Sequence, residues 1–284
     1  LNLSSKVNDY VKFNSRFIVG SKDNGGWASL NAGKENNTDN VQGADGQADV
    51  SLSNAYFGFT AIPNTVVNIG KQGLTTPYTV AVDINGNEQT GTGILALSTF
   101  GPVTGGLGYF NNQNIDKGID RANITPGLLG SVVRYSADSL GLTGGEDLYV
   151  ATVQGDLDFV KLEAWYLGMQ DTFGSYTLAA TSNIDLAENA KLGLEARYVN
   201  LKLTNDARTG IANGINNAGG IDDGMGGTIN LTADDLESKN EMFRFAVDGK
   251  FSIVNARLAY TKTGKNGGLT ALDQDAKNTS LGWA

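Results

Sequence analysis

The chain has no cysteine and no histidine among its 284 residues. Without cysteine there is no disulfide, no thiolate nucleophile and no thiolate metal site. Without histidine there is no serine–histidine triad, no histidine-ligated zinc and no HExxH proteolysis. This double absence weakens most enzyme readings. Proline is scarce at 4 residues, and the 38 glycines follow no G-x-y period, which excludes collagen. Basic residues are outnumbered 21 to 30, for a net charge of −9. No basic stripe can follow a phosphate backbone, so nucleic acid is excluded as a partner, and net charge argues against charge-driven binding to anionic lipid. No run reaches the roughly 18 apolar residues of a membrane helix. A membrane-spanning strand is not excluded by that, because it needs only about 9–11 residues, alternate ones apolar.

What is present is period-2 alternation, interrupted by Gly/Asn/Asp clusters. VKFNSRFIVG sets Val11, Phe13 and Phe17 against Lys12, Asn14 and Arg16. DLDFVKLEAWYLGM sets Val160, Leu162, Ala164 and Tyr166 against Lys161, Glu163 and Trp165. AKLGLEARYVNLKL sets Leu192, Leu194, Ala196 and Tyr198 against Lys191, Glu195 and Arg197, and is expected to pair with SYTLAATSN. A last hairpin sets Phe243, Phe245 and Val247 against Arg244 and Asp248, then Val254, Ala256, Leu258 and Tyr260 against Asn255 and Arg257. GTGILALSTF and TGGLGYF are read as a pair turning at Gly101-Pro102, and LLGSVVRYSAD as the partner of EDLYVATVQ. Helix is suggested only weakly, at Thr232–Lys239.

About a dozen strand candidates result, twice the usual sheet size, which barrel closure or two packed sheets would accommodate. The segments are long, and tight turns alternate with long polar excursions near 21–48, 73–90, 111–127, 205–238 and 264–276. Aromatics fall near strand ends, at Tyr10, Phe100, Phe110, Tyr166, Tyr176, Tyr198 and Tyr260. Short turns, long loops, aromatic girdles and a charged face together describe an antiparallel transmembrane β-barrel, a single domain over residues 1–284. A soluble β-sandwich or β-solenoid, whose aromatics pack a dry core, shares the alternation. At the level of function the alternative is an extracellular β-rich adhesin or surface-layer protein.

The stretch NAYFGFTAIPNTVVNIGKQGLTTPYTVAVDINGNEQTGTGILAL carries Gly70-Lys71-Gln72 between two strands and Gly91-Thr92-Gly93 at the start of a third. With LNLSSKVNDYVKFNSRFIVGSKDNGG and FRFAVDGKFSIVNARLAYTKTG, it resembles the major outer membrane porins of Campylobacter and its relatives. The resemblance implies a trimeric outer-membrane barrel of about 16–18 strands, about 12–14 of them present here, passively conducting ions and small hydrophilic solutes. It implies outer-membrane lipid, lipopolysaccharide and sister subunits as partners, no catalytic residues and no required cofactor. A first strand and a terminal aromatic strand of that family are not matched, so the chain is expected to be incomplete at both ends.

Under this reading Lys12, Arg16, Lys161, Glu163, Lys191, Glu195, Arg197, Arg244, Asp248 and Arg257 line the pore, and their opposed signs set a transverse field across it. The segment Gly73–Gln89 is the expected constriction loop, with Asp83 and Glu88 as its acids. Otherwise these are charges on a solvated sheet face and an external loop. Family members bind calcium. The acids Asp222, Asp223, Asp234, Asp235 and Glu237 offer hard oxygens, but they lack EF-hand spacing and read better as a solvated loop. Asp156 and Asp158 sit near a turn, where a surface role outweighs a glycosidase pair.

Overall fold

The alternating segments form strands because each presents one apolar and one polar face, and a sheet buries or solvates those faces separately. The structure, a computed structural model, describes residues 1–19, 50–83, 88–115, 122–124, 133–135, 144–217, 219–222, 225–264, 269–273 and 275–279. Along the first half run β1 (Asn2–Lys6), β2 (Val11–Val19), β3 (Val50–Phe59), β4 (Thr65–Gly73), β5 (Thr90–Phe100) and β6 (Val103–Gln113). The short strands β7 (Ala122–Ile124) and β8 (Val133–Tyr135) pair with each other. Then come β9 (Leu148–Leu157), β10 (Val160–Met169), β11 (Phe173–Ala187) and β12 (Ala190–Leu203). Helix α1 (Asn205–Asn217) and the short pair β13 (Ile221–Asp222) and β14 (Thr228–Ile229) precede β15 (Lys239–Phe251) and β16 (Val254–Thr263).

Twelve of these strands form one antiparallel sheet in the order β1-β2-β3-β4-β5-β6-β9-β10-β11-β12-β15-β16. Apart from the excursions holding the short elements, every strand pairs with its sequence neighbours. At one end the connections are tight, and left-handed residues close them: Asn64 (φ 58°), Gly101 (φ 55°), Asp158 (φ 50°) and Ser252 (φ 56°). The long excursions leave from the other end.

Two register shifts bend the first half of the wall. Ser53 is the extra residue where Arg16 pairs with Asn54 and Phe17 with Leu52. Asn111 is the extra residue where Thr92 pairs with Asn112 and Gly93 with Phe110. At Gly93 a Cβ would stand 2.0 Å from the Tyr109 carbonyl oxygen, so no larger residue fits between these backbones.

The sheet is apolar outside and polar inside. Leu107, Tyr109, Val153, Leu162, Tyr166, Leu178, Phe243, Phe245 and Leu258 all stand exposed on the outer face. The inner face carries Ser175, Thr177, Glu195, Arg197 and Arg244, all buried beneath inserted loops. Toward the long-loop end the inner face turns apolar. Leu148, Leu167, Met169, Phe173, Val199, Leu201, Leu203 and Met242 pack there against Leu74, Tyr78, Leu269, Leu272 and α1.

Some expectations are corrected. The stretch 128–138 does not partner EDLYVATVQ: β9 pairs with β6, while β8, within that stretch, pairs with β7. Phe110 is not in an outer girdle but 1% exposed on the inner face, and its neighbour Tyr109 takes the outer position. Residues 205–238 are not a glycine-rich loop throughout, since they contain α1. Thr204 caps that helix, its hydroxyl accepting from the Ala207 N–H at 3.2 Å. Ala207, Ile211, Ala212 and Ile215 form its buried stripe. Near Thr232–Lys239 only a single 3-10 turn forms, Ala233–Asp235.

Candidate functional site

The inner face is organised by two segments that lie against it, 74–83 and 269–279. The first leaves the sheet between β4 and β5 and reaches across to β11. There the Tyr78 hydroxyl accepts from Ser175 Oγ at 3.0 Å and Thr177 Oγ1 at 2.9 Å. Burial pushes the Tyr78 phenol up to about 12, so it stays neutral at this junction. The second segment lies beside the first. The Leu272 N–H donates to the Tyr78 carbonyl and the Asn278 N–H to the Pro77 carbonyl, each at 2.8 Å. Gln89 Nε2 donates to the Leu272 carbonyl at 3.1 Å. Asn278 Nδ2 donates to Thr177 Oγ1 at 2.7 Å, so both segments share one anchor on β11.

Beneath the second segment lies a charge cluster on β12, β15 and β16. Arg197 and Arg244 face each other across the β12–β15 pair. Glu195 holds them together: its Oε1 accepts from Arg197 Nε at 2.9 Å and from Arg244 Nη2 at 2.7 Å, and its Oε2 accepts from Arg257 Nη2 at 2.9 Å. Arg257 also reaches Asp248 at 3.1 Å. The spare donors of this cluster hold the loop. Arg244 Nη1 and Nη2 donate to the carbonyls of Thr279 and Lys277 at 3.1 and 2.6 Å, and Arg197 Nη1 donates to Asn278 Oδ1 at 3.3 Å.

The remaining inner-face charges are distributed around the wall. Glu163 on β10 accepts from Trp165 Nε1 at 3.1 Å and lies 3.3 Å from Lys277 Nζ. Lys161 pairs with Asp156 at 2.9 Å and Lys191 with Asp185 at 3.0 Å, exposed pairs near the tight-turn end that contribute little stability. On β2, Arg16 Nη2 reaches Glu88 Oε1 at 2.8 Å, tying the run that leads into β5 to β2. Lys12 is exposed on the same face of β2.

Asp83 belongs to the first segment, and its charge acts on Asp273 of the second. Asp273 is buried, which pushes its carboxyl up to about 6, and Asp83 and Asp275 add to the effect. Among the proposed calcium ligands, Asp223 lies outside the described residues, and of Asp222 only the backbone is described. Asp235 is committed to a capping box, accepting from the Thr232 N–H at 2.8 Å and hydroxyl at 2.7 Å. No group of three metal-ligating side chains occurs among the described residues. Sequence reasoning missed the inward course of 269–279. Its signal is the spacing of Leu269, Leu272 and Ala276, all buried, within an otherwise polar stretch.

No protein-family model matches the chain, and no curated protein matches it. Solved structures do. The crystal structure of Pseudomonas aeruginosa OccK5 (OpdH) superposes with a TM-score of 0.61 at 12% identity, over 100% of this chain and 63% of that one. OccK8 (OprE) of the same organism gives 0.60 at 16% identity, over 99% and 68%. The outer membrane protein OpdK gives 0.57 at 13%, over 93% and 59%. The chain shares the antiparallel β-barrel fold of these outer-membrane proteins. The chain spans about three fifths of the length of the neighbours, 59% of OpdK and 63% of OccK5. The likeness is to OprD/Occ-type porins of Pseudomonas, whereas the sequence pointed to Campylobacter-type porins.

Proposed function

We propose that this chain forms the wall and internal constriction of an outer-membrane general porin that passively conducts ions and small hydrophilic solutes. One observation carries the reading: the sheet is inside-out, with aliphatic and aromatic side chains exposed outside and buried charges under inserted loops inside. An adhesin or surface-layer protein would fold its apolar faces into a dry interior, so this arrangement disfavours that alternative.

In this reading Lys12, Arg16, Lys161, Glu163, Lys191, Glu195, Arg197, Arg244, Asp248 and Arg257 belong to the lumen side of the wall, with Glu195, Arg197 and Arg244 covered there by the second segment. The segment Gly73–Gln89 is the constriction, with Asp83 and Glu88 as its acids. The arginine cluster on one wall and the acids Asp83, Asp273 and Asp275 on the loops set the transverse field. Outer-membrane lipid and lipopolysaccharide contact the outer face, and three copies assemble as a homotrimer. Gly70-Lys71-Gln72 near the end of β4 supports placing the chain beside the Campylobacter-type porins. A structural neighbour, OpdK of Pseudomonas aeruginosa, has been crystallised with vanillate. Reconstitution of the protein in planar bilayers tests the function: discrete conductance steps are expected, and a soluble monomer that adds no conductance overturns it.

A further inference from the structure

The outer face is not uniform from end to end. At the tight-turn end large apolar side chains stand exposed: Phe159, Leu186, Phe251 and Ile253. At the long-loop end a pair of lysines stands above tyrosines, with a third lysine beside them. Lys202 on β12 and Lys239 on β15 are directly paired across the strands. Lys262 on β16 stands opposite the outward Phe243. Just below lie Tyr176 and Tyr198, their ring centroids 6.0 Å apart, with Tyr260 on β16. Glu241 sits among them, taking Lys239 Nζ at 2.8 Å, the Tyr198 hydroxyl at 2.6 Å and Asn200 Nδ2 at 3.3 Å. Glu237 lies near Lys239 on the loop side. Lys202 and Lys262 are exposed and form no ion pair among the described residues. A chain of net charge −9 thus concentrates free positive charge on one part of its outer face.

Below the tyrosines the outer face is concave. A groove of about 590 Å³ opens there, walled by Val153, Leu162, Leu178 and Phe243. Its floor is made of short side chains: Ala180 pairs with Leu162 on one side and Ala196 on the other, and Ala164 pairs with Leu178. Six residues separate Ala196 from Lys202, about 20 Å along a strand. A barrel strand tilted by about 45° turns that into about 14 Å of depth. One leaflet of a bilayer has about 15 Å of hydrocarbon. Lys202 and its partner Lys239 therefore stand at the headgroup level of the leaflet whose acyl chains reach the groove, and the long side chain of Lys262, rooted lower on β16, extends toward them.

We propose that the outer surface of β11, β12, β15 and β16 is a binding site for a phosphorylated lipid of the outer leaflet. Its phosphates rest on Lys202, Lys239 and Lys262, and an acyl chain lies in the groove floored by Ala164, Ala180 and Ala196. The proposal rests on the outer-membrane reading above. It revises the inference from net charge, because a headgroup meets the local charge, screened over about 8–10 Å, and not the sum over the chain. A second copy of the chain suits this face less well, because packing there would strip water from the free lysines with no acid set aside to meet them.

Native mass spectrometry of the full chain in detergent, with hexa-acylated lipid A bisphosphate and its dephosphorylated counterpart as probes, tests the site. The protein is expected to retain the bisphosphate in preference to the phosphate-free lipid. Replacing both free lysines (Lys202→Gln with Lys262→Gln) should weaken that retention about tenfold or more. Ala180→Leu, which fills the groove, should weaken retention of both lipids. Single-channel conductance of these variants should equal that of the parent, because none of the residues faces the lumen; a parent without conductance would instead sink the porin reading. Equal retention of the two lipids, or retention indifferent to the lysines, overturns the site. So does efficient disulfide cross-linking of two Leu178→Cys copies in the membrane, which would make this face a subunit contact.

Discussion

Replacing Glu195 with glutamine should destabilise the barrel wall more than any other single charge removal on its inner face. Arg197 and Arg244 stand opposite each other with side chains 2% and 1% exposed, and Glu195 is the carboxylate both share. Removing one partner of a buried ion pair costs about 3–5 kcal/mol, mostly from the charge left behind. Here the loss falls near the lower end, about 3 kcal/mol, because Arg244 keeps the Lys277 and Thr279 carbonyls and Arg257 keeps Asp248. Urea unfolding in lipid vesicles, followed by tryptophan fluorescence, measures it. Glu241→Gln is the control: its ion-pair partner Lys239 has a side chain 56% exposed, so the loss should stay below about 1 kcal/mol. Combining Glu195→Gln with Arg244→Met should cost less than the sum of the single changes, because one of the two stranded charges is gone. A Glu195→Gln protein within about 1 kcal/mol of the parent would refute the claim that these guanidinium groups are desolvated.

Tyr78→Phe removes the acceptor for Ser175 and Thr177 and should loosen the 74–83 segment by about 1–3 kcal/mol, seen as faster amide exchange there; unchanged exchange would count against the anchor. The same anchor should fail in alkali. With its phenol pushed up to about 12, Tyr78 stabilises the docked segment fully below pH 10, and that contribution is lost as pH rises towards 12, a dependence absent in Tyr78→Phe. Asp273, pushed up to about 6, favours the packed loops while neutral: packing is tightest below pH 4 and weakens as pH rises through 6. Conductance should therefore fall in acid, and Asp273→Asn should flatten the profile; a parent profile already flat between pH 4 and 7 would oppose this. Leu178→Arg on the outer face should cost about 2–4 kcal/mol in lipid, whereas Thr181→Gln on the inner face of the same strand should be tolerated. Equal effects would mean that the two faces are misassigned.

The wall was legible because period-2 alternation needs no long-range information. β12 shows it plainly, with Leu192, Leu194, Ala196 and Tyr198 outside and Lys191, Glu195 and Arg197 inside. The same strand also held a clue to the inserted segments. After Arg197 its inner positions become Val199, Leu201 and Leu203, apolar on a face that should be wet. An apolar inner face must be covered, and the cover is formed by Leu74, Tyr78, Leu269, Leu272 and α1. That helix escaped notice because NDARTGIANGINN holds two glycines and four asparagines, poor helix formers; its packing on the strand ends outweighs propensity. The partners of Arg244 were not legible at all. They are the main-chain carbonyls of Lys277 and Thr279, and no residue type encodes such a contact.

The docking of 74–83 and 269–279 also orders events in time. Strand pairing along the meander links near neighbours in the chain, and each hairpin can close with little loss of entropy. The inward contacts are of another kind: Tyr78 meets Ser175 across 97 positions, Asn278 meets Thr177 across 101, and Gln89 meets Leu272 across 183. The first two cannot form until β11 exists to receive them, and the third joins the two segments that they dock. The wall must therefore assemble first as an open curtain, and the obstruction of its interior is the last part of the molecule to be built.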